Sequence, residues 1–323
     1  MSSEKLTNQV RNNINTKNMT EEEWLEVRRY SIGGSDAGAI LGFNKYESPF
    51  SLYQKKLYPD LFEQDLSDNE YIYWGNTLED IVAKEFERRT GKKVRRHNSM
   101  MYHKDPEYNF MSANVDRVVI GEKAILECKT ASEYKREEWK DDNVPTSYMA
   151  QCYHYLAVTG YERAYIAVLI GGNHFVWTII ERDEEIIESI MQTEKDFWDN
   201  HILKEIPPEA DGSSATAETL NKLWQETTDN EVSFDDQQAA HFKALQAENK
   251  IIKEAKERKM YHENKIKELL GDSEVGASSK YRATWKTQTS IRLDTKRLKE
   301  ERPELFDEYA KESRSRPLKV KEL

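Results

Sequence analysis

The chain has 323 residues, 37% hydrophobic and 33% charged, with a formal net charge of −11. That length supports a substantial core in one large domain or two modest ones. The acidic balance argues against a protein that coats nucleic acid indiscriminately, so any DNA contact must use local basic patches, metal ions or both. Two cysteines, Cys128 and Cys152, exclude a disulfide framework and a four-cysteine zinc or iron–sulfur site. No apolar run is long enough to span a bilayer, and the N-terminal segment has no signal-peptide core, so the expected location is the cytoplasm.

In chain order, residues 1–19 are polar and read as frayed. Thr20 and Glu23 have capping-box spacing and open a helix over 21–30. "YSIGGSDAGAILG" reads as a glycine turn followed by a short helix from Ser35. A helix over 49–57 precedes an acidic loop. A strong helix over 74–89 carries Leu78, Ile81, Val82 and Phe86 on one side and stops at Gly91. "KKVRRHNSMMYH" suggests a strand or hairpin, and "ANVDRVVIGEKAILECKT" two strands around a Gly121–Glu122 turn. A helix then ends at Gly160, a hairpin turns at residues 171–173, and an amphipathic helix fills 183–203. The order predicts an α/β (α+β) core with a mixed sheet flanked by helices. Pro207-Pro208 and the Ser/Ala run after them mark a boundary between residues 1–204 and 205–323. The second part reads as a short helix at 216–227, a long one over 234–270 forming a coiled-coil hairpin or arm, and a basic tail. In that tail, residues 279–323 hold 13 Lys/Arg against 8 Asp/Glu.

The segment "GEKAILECKTAS" carries the chemistry. Ala124, Ile125 and Leu126 read as a buried strand, yet Glu127 and Lys129 follow on one face of it, because side chains alternate along a strand. Asp116, in the preceding strand, reaches the same end of the sheet. Two carboxylates, a lysine and the Cys128 carbonyl make a hard, oxygen-rich site for Mg2+. One or two such ions clamp a phosphodiester and activate a water. Glu79, on the 74–89 helix, is a further candidate carboxylate. Taken alone, Asp…Glu-x-Lys more often marks a solvated ion pair. Tyr148, Gln151 and Tyr155 form a polar-aromatic stripe on the next helix, opposite an apolar stripe of Met149, Cys152 and Leu156. Tyr148 and Tyr155 are candidate DNA contacts, as is the basic run at 92–97, which reads equally as a solvated strand edge. His154 reads as packing or solvent-facing. Trp139 and Trp285 are the loosest of stacking candidates.

These residues resemble the PD-(D/E)XK nucleases and, more closely, the YqaJ-type viral recombinase family, relatives of phage lambda exonuclease. The resemblance covers about residues 22–200. "WLEVRRYSIGGSDAGAILG" matches the N-terminal motif with Arg28 and Ser35, and "YWGNTLEDIVAKEFE" the helix with Glu79. "SANVDRVV" carries Asp116, "LECK" Glu127 and Lys129, and "SYMAQCYHYLAVTG" Gln151. Arg117 stands where lambda-like relatives usually have glycine, and Asn114-Val115 replaces Ser-Pro. Residues 205–323 have no counterpart in lambda exonuclease.

The resemblance implies a restriction-endonuclease-like core and an alkaline exonuclease that uses two Mg2+ ions, with Mn2+ as substitute. It would degrade one strand of duplex DNA from the 5′ end. The remaining 3′ strand would pass to a RecT-type annealing protein in phage or prophage recombination inside a bacterial host. Relatives form homo-oligomeric rings, commonly trimers. Asp116, Glu127, Lys129, Gln151 and Glu79 would be catalytic, with Arg28 and Ser35 gripping the 5′ phosphate. An arginine fork and the free N–H groups opening a helix both suit phosphate. The plainer alternative pairs Arg28 with a nearby acid such as Glu23 and leaves Ser35 as a helix cap. An endonuclease, or a catalytically silent DNA-binding scaffold on the same fold, are the rival functions.

Overall fold

The computed structural model describes residues 11–62, 68–312 and 315–321. They form two compact units, Met1–Trp224 and Gln225–Leu323. In the first unit the strands are β1 (Ile14–Asn15), β2 (Ile32–Gly33), β3 (Val94–Arg96), β4 (Ser99–Tyr102), β5 (Met111–Ala113), β6 (Arg117–Val119), β7 (Ala124–Ala131), β8 (Arg163–Ile170) and β9 (His174–Glu181). The helices are α1 (Glu21–Arg29), α2 (Gly34–Ile40), α3 (Pro49–Leu57), α4 (Pro59–Phe62), α5 (Glu70–Thr90), α6 (Thr146–Thr159), α7 (Glu184–Phe197) and α8 (Ser214–Leu223).

Five strands form a mixed sheet in the order β3-β6-β7-β8-β9, parallel only between β7 and β8. That parallel pair requires a crossover, which α6 supplies. β7 alternates between two cores. Ile125 joins Cys152 and Leu156 of α6 and Ile166 and Val168 of β8 on one face. Ala124 and Leu126 join Val82 and Phe86 of α5 on the other. A strand buried on both faces reads as a continuous apolar run, which is why residues 124–126 do so. The expected mixed sheet between helices is therefore present.

Several helix ends follow from their sequence. Thr20 and Glu23 complete the capping box of α1. Gly91 and Gly160 close α5 and α6 at φ 71° and 67°, a left-handed conformation that glycine adopts without penalty. α5 starts earlier than predicted, at Glu70, because the Asn69 side chain accepts from the Tyr71 and Ile72 amides. Of the strand or hairpin expected over residues 92–103, two strands form but not a hairpin: β3 pairs with β6, whereas β4 joins a separate four-stranded sheet, β1-β4-β5-β2. Within the stretch expected to fray, Ile14–Asn15 pair with β4; residues 1–10 lie outside the described residues. Asp116 sits in the bend before β6 rather than in a strand.

His154 is fully buried, with Nδ1 2.8 Å from Glu194 Oε1 and Nε2 2.8 Å from the Ser112 carbonyl oxygen. Past Pro207-Pro208 the first unit continues through α8, which rests on α3 and α4. The Ser48 and Thr216 hydroxyls meet there at 2.7 Å, both buried. The second unit holds α9 (Asp236–Leu270), a single helix with no hairpin turn inside it. The two-stranded β10 (Val275–Ala277) and β11 (Arg282–Thr284) and helices α10 (Thr295–Glu301) and α11 (Pro303–Tyr309) follow. Among the described residues no helix is long and apolar enough to cross a membrane.

Candidate active site

Where β7 runs past its apolar half, Glu127 and Lys129 share the face of Ile125 and meet Gln151 on α6. Glu127 Oε1 accepts from Lys129 Nζ at 2.7 Å and from Gln151 Nε2 at 2.8 Å. Gln151 Oε1 accepts from Lys129 at 3.1 Å, and its amide nitrogen also reaches the Tyr155 hydroxyl at 3.1 Å. Tyr155 donates in turn to the Asn114 carbonyl at 3.2 Å, in the bend that carries Asp116. Asp116 Oδ2 accepts from the Cys128 amide at 2.8 Å, which fixes the bend to β7. The two carboxylates and the lysine thus stand together halfway along β7, just past its pairing with β6.

A cleft of about 310 Å3 opens over them, lined also by Trp24, Arg28, Ser35 and Glu79. Arg28 lies with its guanidinium carbon 5.1 Å from the Trp24 ring centre. It donates to the Ser35 hydroxyl and stands 3.7 Å from Asp36. The plainer pairing of Arg28 with a nearby acid is therefore formed, with Asp36 rather than with Glu23, whose carboxylate accepts from the Thr20 amide. A second groove, lined by Lys45, Tyr46, Lys135 and Tyr148, meets the first at Ser35, Lys129 and Gln151. Tyr148 faces this groove, its ring centre 4.9 Å from Lys129 Nζ. Tyr155 faces the first cleft, pressed so close to Gly34 that a Cβ there would lie 2.4 Å from its ring.

The electrostatics favour a cation. Burial first, then the neighbouring Glu127, pushes the Asp116 carboxyl well above its usual range. Burial works to lower the Lys129 ammonium, but Glu127 and Asp116 override it and hold the lysine charged. Glu127 Oε2 is buried without a hydrogen-bond partner, and a buried acceptor left unsatisfied in a native site calls for an explanation such as an ion or a water. Two repelling carboxylates with an orphaned oxygen suit a divalent ion. Among the described residues no three His, Cys, Asp or Glu side chains gather into a cage. Two carboxylates and a backbone carbonyl offer only oxygen donors, which suit a hard ion that keeps waters or borrows phosphate oxygens, as Mg2+ does.

Glu79 enters from α5, but its Oε1 is paired with Arg117. Sequence reasoning also missed Asp36 and Lys56. Asp36 accepts from the Gly33 amide at 3.0 Å and from Lys56 Nζ at 2.8 Å, and so braces the Arg28–Ser35 turn. Burial alone would raise the Asp36 carboxyl; Lys56 and Arg28 pull it down to about 2. Asp36 stands within the recognised N-terminal motif, beside Ser35. Lys56 carries no local signal, since nothing in its own helix distinguishes it from Lys55.

Comparison with known proteins agrees with this arrangement of motifs. The model of the YqaJ-like viral recombinase domain matches residues 23–162. The uncharacterized protein YqaJ of Bacillus subtilis (strain 168) is 46% identical over 310 residues, spanning 94% of this chain and 95% of its own. Among solved structures, an alkaline exonuclease from Laribacter hongkongensis is similar over 62% of this chain and 99% of its own, at 19% identity and a TM-score of 0.47. A phage-related exonuclease from Haemophilus somnus 129PT is similar over 54% and 96%, at 14% identity and a TM-score of 0.40. Both structural likenesses are distant. The sequence likeness is not: with nearly half of all positions shared along almost the whole of both chains, this protein belongs to the YqaJ-like viral recombinase family.

Proposed function

We propose that the protein is a Mg2+-dependent deoxyribonuclease that resects linear duplex DNA from the 5′ end and leaves a 3′ single strand. The observation that carries this reading is the cleft itself. Asp116, Glu127 and Lys129 stand together beside the middle of β7, with the orphaned Glu127 oxygen, and Arg28 and Ser35 line the same cleft. Asp116, Glu127 and the Cys128 carbonyl would hold the ion, with Mn2+ able to substitute. When bound, it would polarise the scissile phosphate and make a coordinated water more acidic.

The chain's own residues do the rest. Lys129, held charged by the carboxylates, donates to the attacking water and to the phosphate oxygens that gain negative charge. Gln151 keeps Lys129 and Glu127 in register by bonding both. Arg28 and Ser35 take the 5′ phosphate of the strand being shortened, since a guanidinium fork matches phosphate oxygens. Holding that phosphate sets the direction of travel. Tyr148 flanks the strand beside Lys129, whereas Tyr155, buried and bonded to Gln151 and the Asn114 carbonyl, backs the cleft. Family membership supports the wider setting: a homo-oligomeric ring in the bacterial cytoplasm, handing the 3′ strand to a RecT-type annealing protein.

The test is a digestion time course with Mg2+ on linear duplex labelled at either 5′ end, with and without a 5′ phosphate, beside a closed circle. The reading expects loss from 5′-phosphorylated ends and an intact circle. Nicked circles would identify an endonuclease, and no cleavage of any substrate a scaffold; either result overturns it.

A further inference from the structure

The expectation of two ions requires Glu79 to be available to the second. Instead its carboxylate is engaged by Arg117, a side chain only 4% exposed. The same guanidinium donates to the Asp116 carbonyl at 2.6 Å and pairs with Asp80, whose carboxylate also meets Arg96 at 2.8 Å. Arg117 opens β6 in register with Leu126 of β7, so it cannot swing out without disturbing the strand that follows Asp116.

We propose that Arg117 makes this a one-cation site: Asp116 and Glu127 hold a single divalent ion, and Glu79 serves as the partner of Arg117 rather than as a ligand. The inference rests on the metal-dependent reading above and narrows it. Charge supports it. The charged residues that line the cleft, Asp116, Glu127 and Glu79 against Arg28 and Lys129, leave one net negative charge there. One divalent ion reverses that charge, which suits a phosphodiester. A second would crowd further positive charge against a guanidinium bonded to the carbonyl of Asp116 itself. Drawing Glu79 away to ligate an ion would also strip a buried guanidinium of one of its two carboxylates, which is unfavourable.

The experiment counts ions rather than turnovers. Mn2+ is titrated into the metal-free full chain without DNA, with free Mn2+ followed by electron paramagnetic resonance. The expected result is one Mn2+ per wild-type chain. Glu79→Gln, which leaves Arg117 its bonds to Asp80 and the Asp116 carbonyl, should keep that ion with its affinity changed by no more than a few-fold. Asp116→Asn should lose it. Two ions on the wild type, or a lost or strongly weakened ion in Glu79→Gln, would overturn the one-cation assignment and leave the metal-dependent reading standing. No bound ion on the wild type, or unchanged binding in Asp116→Asn, would overturn both.

Discussion

Lys56→Met tests whether the brace behind Arg28 is built from charge. Lys56 and Asp36 are 7% and 8% exposed, 2.8 Å apart, and Lys56 also donates to the Ser31 carbonyl at 2.7 Å. The drop of the Asp36 carboxyl from 3.8 to about 2 corresponds to roughly 2 kcal/mol at neutral pH. Removing one partner also leaves the other charge buried, so the full penalty should be about 3–5 kcal/mol. The sign with pH follows. Because the folded carboxyl is depressed, its contribution is present above the unfolded value and is lost as pH falls toward about 2. In Lys56→Met, burial is opposed only by Arg28 at 3.7 Å and by the Gly33 amide, so the carboxyl rises and the mutant loses stability as pH climbs through the new value. The deficit should be largest near neutral pH and shrink in acid. Urea unfolding of the metal-free chain, followed by tryptophan fluorescence at several pH values, measures it. Adding Asp36→Leu to Lys56→Met should recover much of the loss, since a buried pair replaced by apolar groups is often neutral. A deficit below about 1 kcal/mol, or one that does not change with pH, would refute the reasoning.

Lys129→Ala should lower the cleavage rate by about 10²–10⁴-fold while Mn2+ titration still finds the ion; unchanged digestion would remove Lys129 from the chemistry. Arg28→Ala should keep ion binding, slow digestion and erase the preference for 5′-phosphorylated ends, and a retained preference in competition assays would dismiss the phosphate grip. Because burial and Glu127 raise the Asp116 carboxyl, ion binding must displace its proton, so affinity should climb with pH through that raised value and then level off. For the same reason Asp116 favours the metal-free fold most below its unfolded value, and that contribution falls as pH rises through the folded one; calorimetry showing pH-independent binding with no proton release would contradict this. A chain ending after Trp224 should keep its fold and cleave short duplexes, whereas one ending after Lys204 also loses α8 and the Ser48–Thr216 bond; equal melting temperatures for the two would show that α8 contributes nothing.

What the sequence disclosed was local. The helix ends at Thr20, Gly91 and Gly160 were legible because a cap is chemistry between near neighbours. β7 was legible because burial on both faces leaves an apolar run, and Glu127 and Lys129 because they interrupt it. β2 was invisible: two residues whose partners lie in β5, some eighty positions on, leave no periodic trace. β3 and β4 read as one strand or hairpin because their short gap resembles a turn, while their true partners are distant. Arg117 stood out only as a departure from the family pattern. Its burial depends on Glu79 and Asp80, which belong to helix α5, and no window of sequence contains them together with Arg117.

The alternation of β7 ties two properties that evolution often adjusts separately. Ile125, Glu127 and Lys129 point one way, Leu126 and Cys128 the other, and all eight residues are in register with β8. One inserted residue would carry the acid and the lysine to the α5 side and apolar groups into the cleft. Length variation inside this strand therefore cannot trade a little activity for a little stability; both vanish in one step. A library of single-residue insertions should find tolerated positions in the turn at Gly121–Glu122 and none between Ala124 and Lys129. Change that keeps this site working is therefore confined to substitution, within a fixed frame of alternate positions.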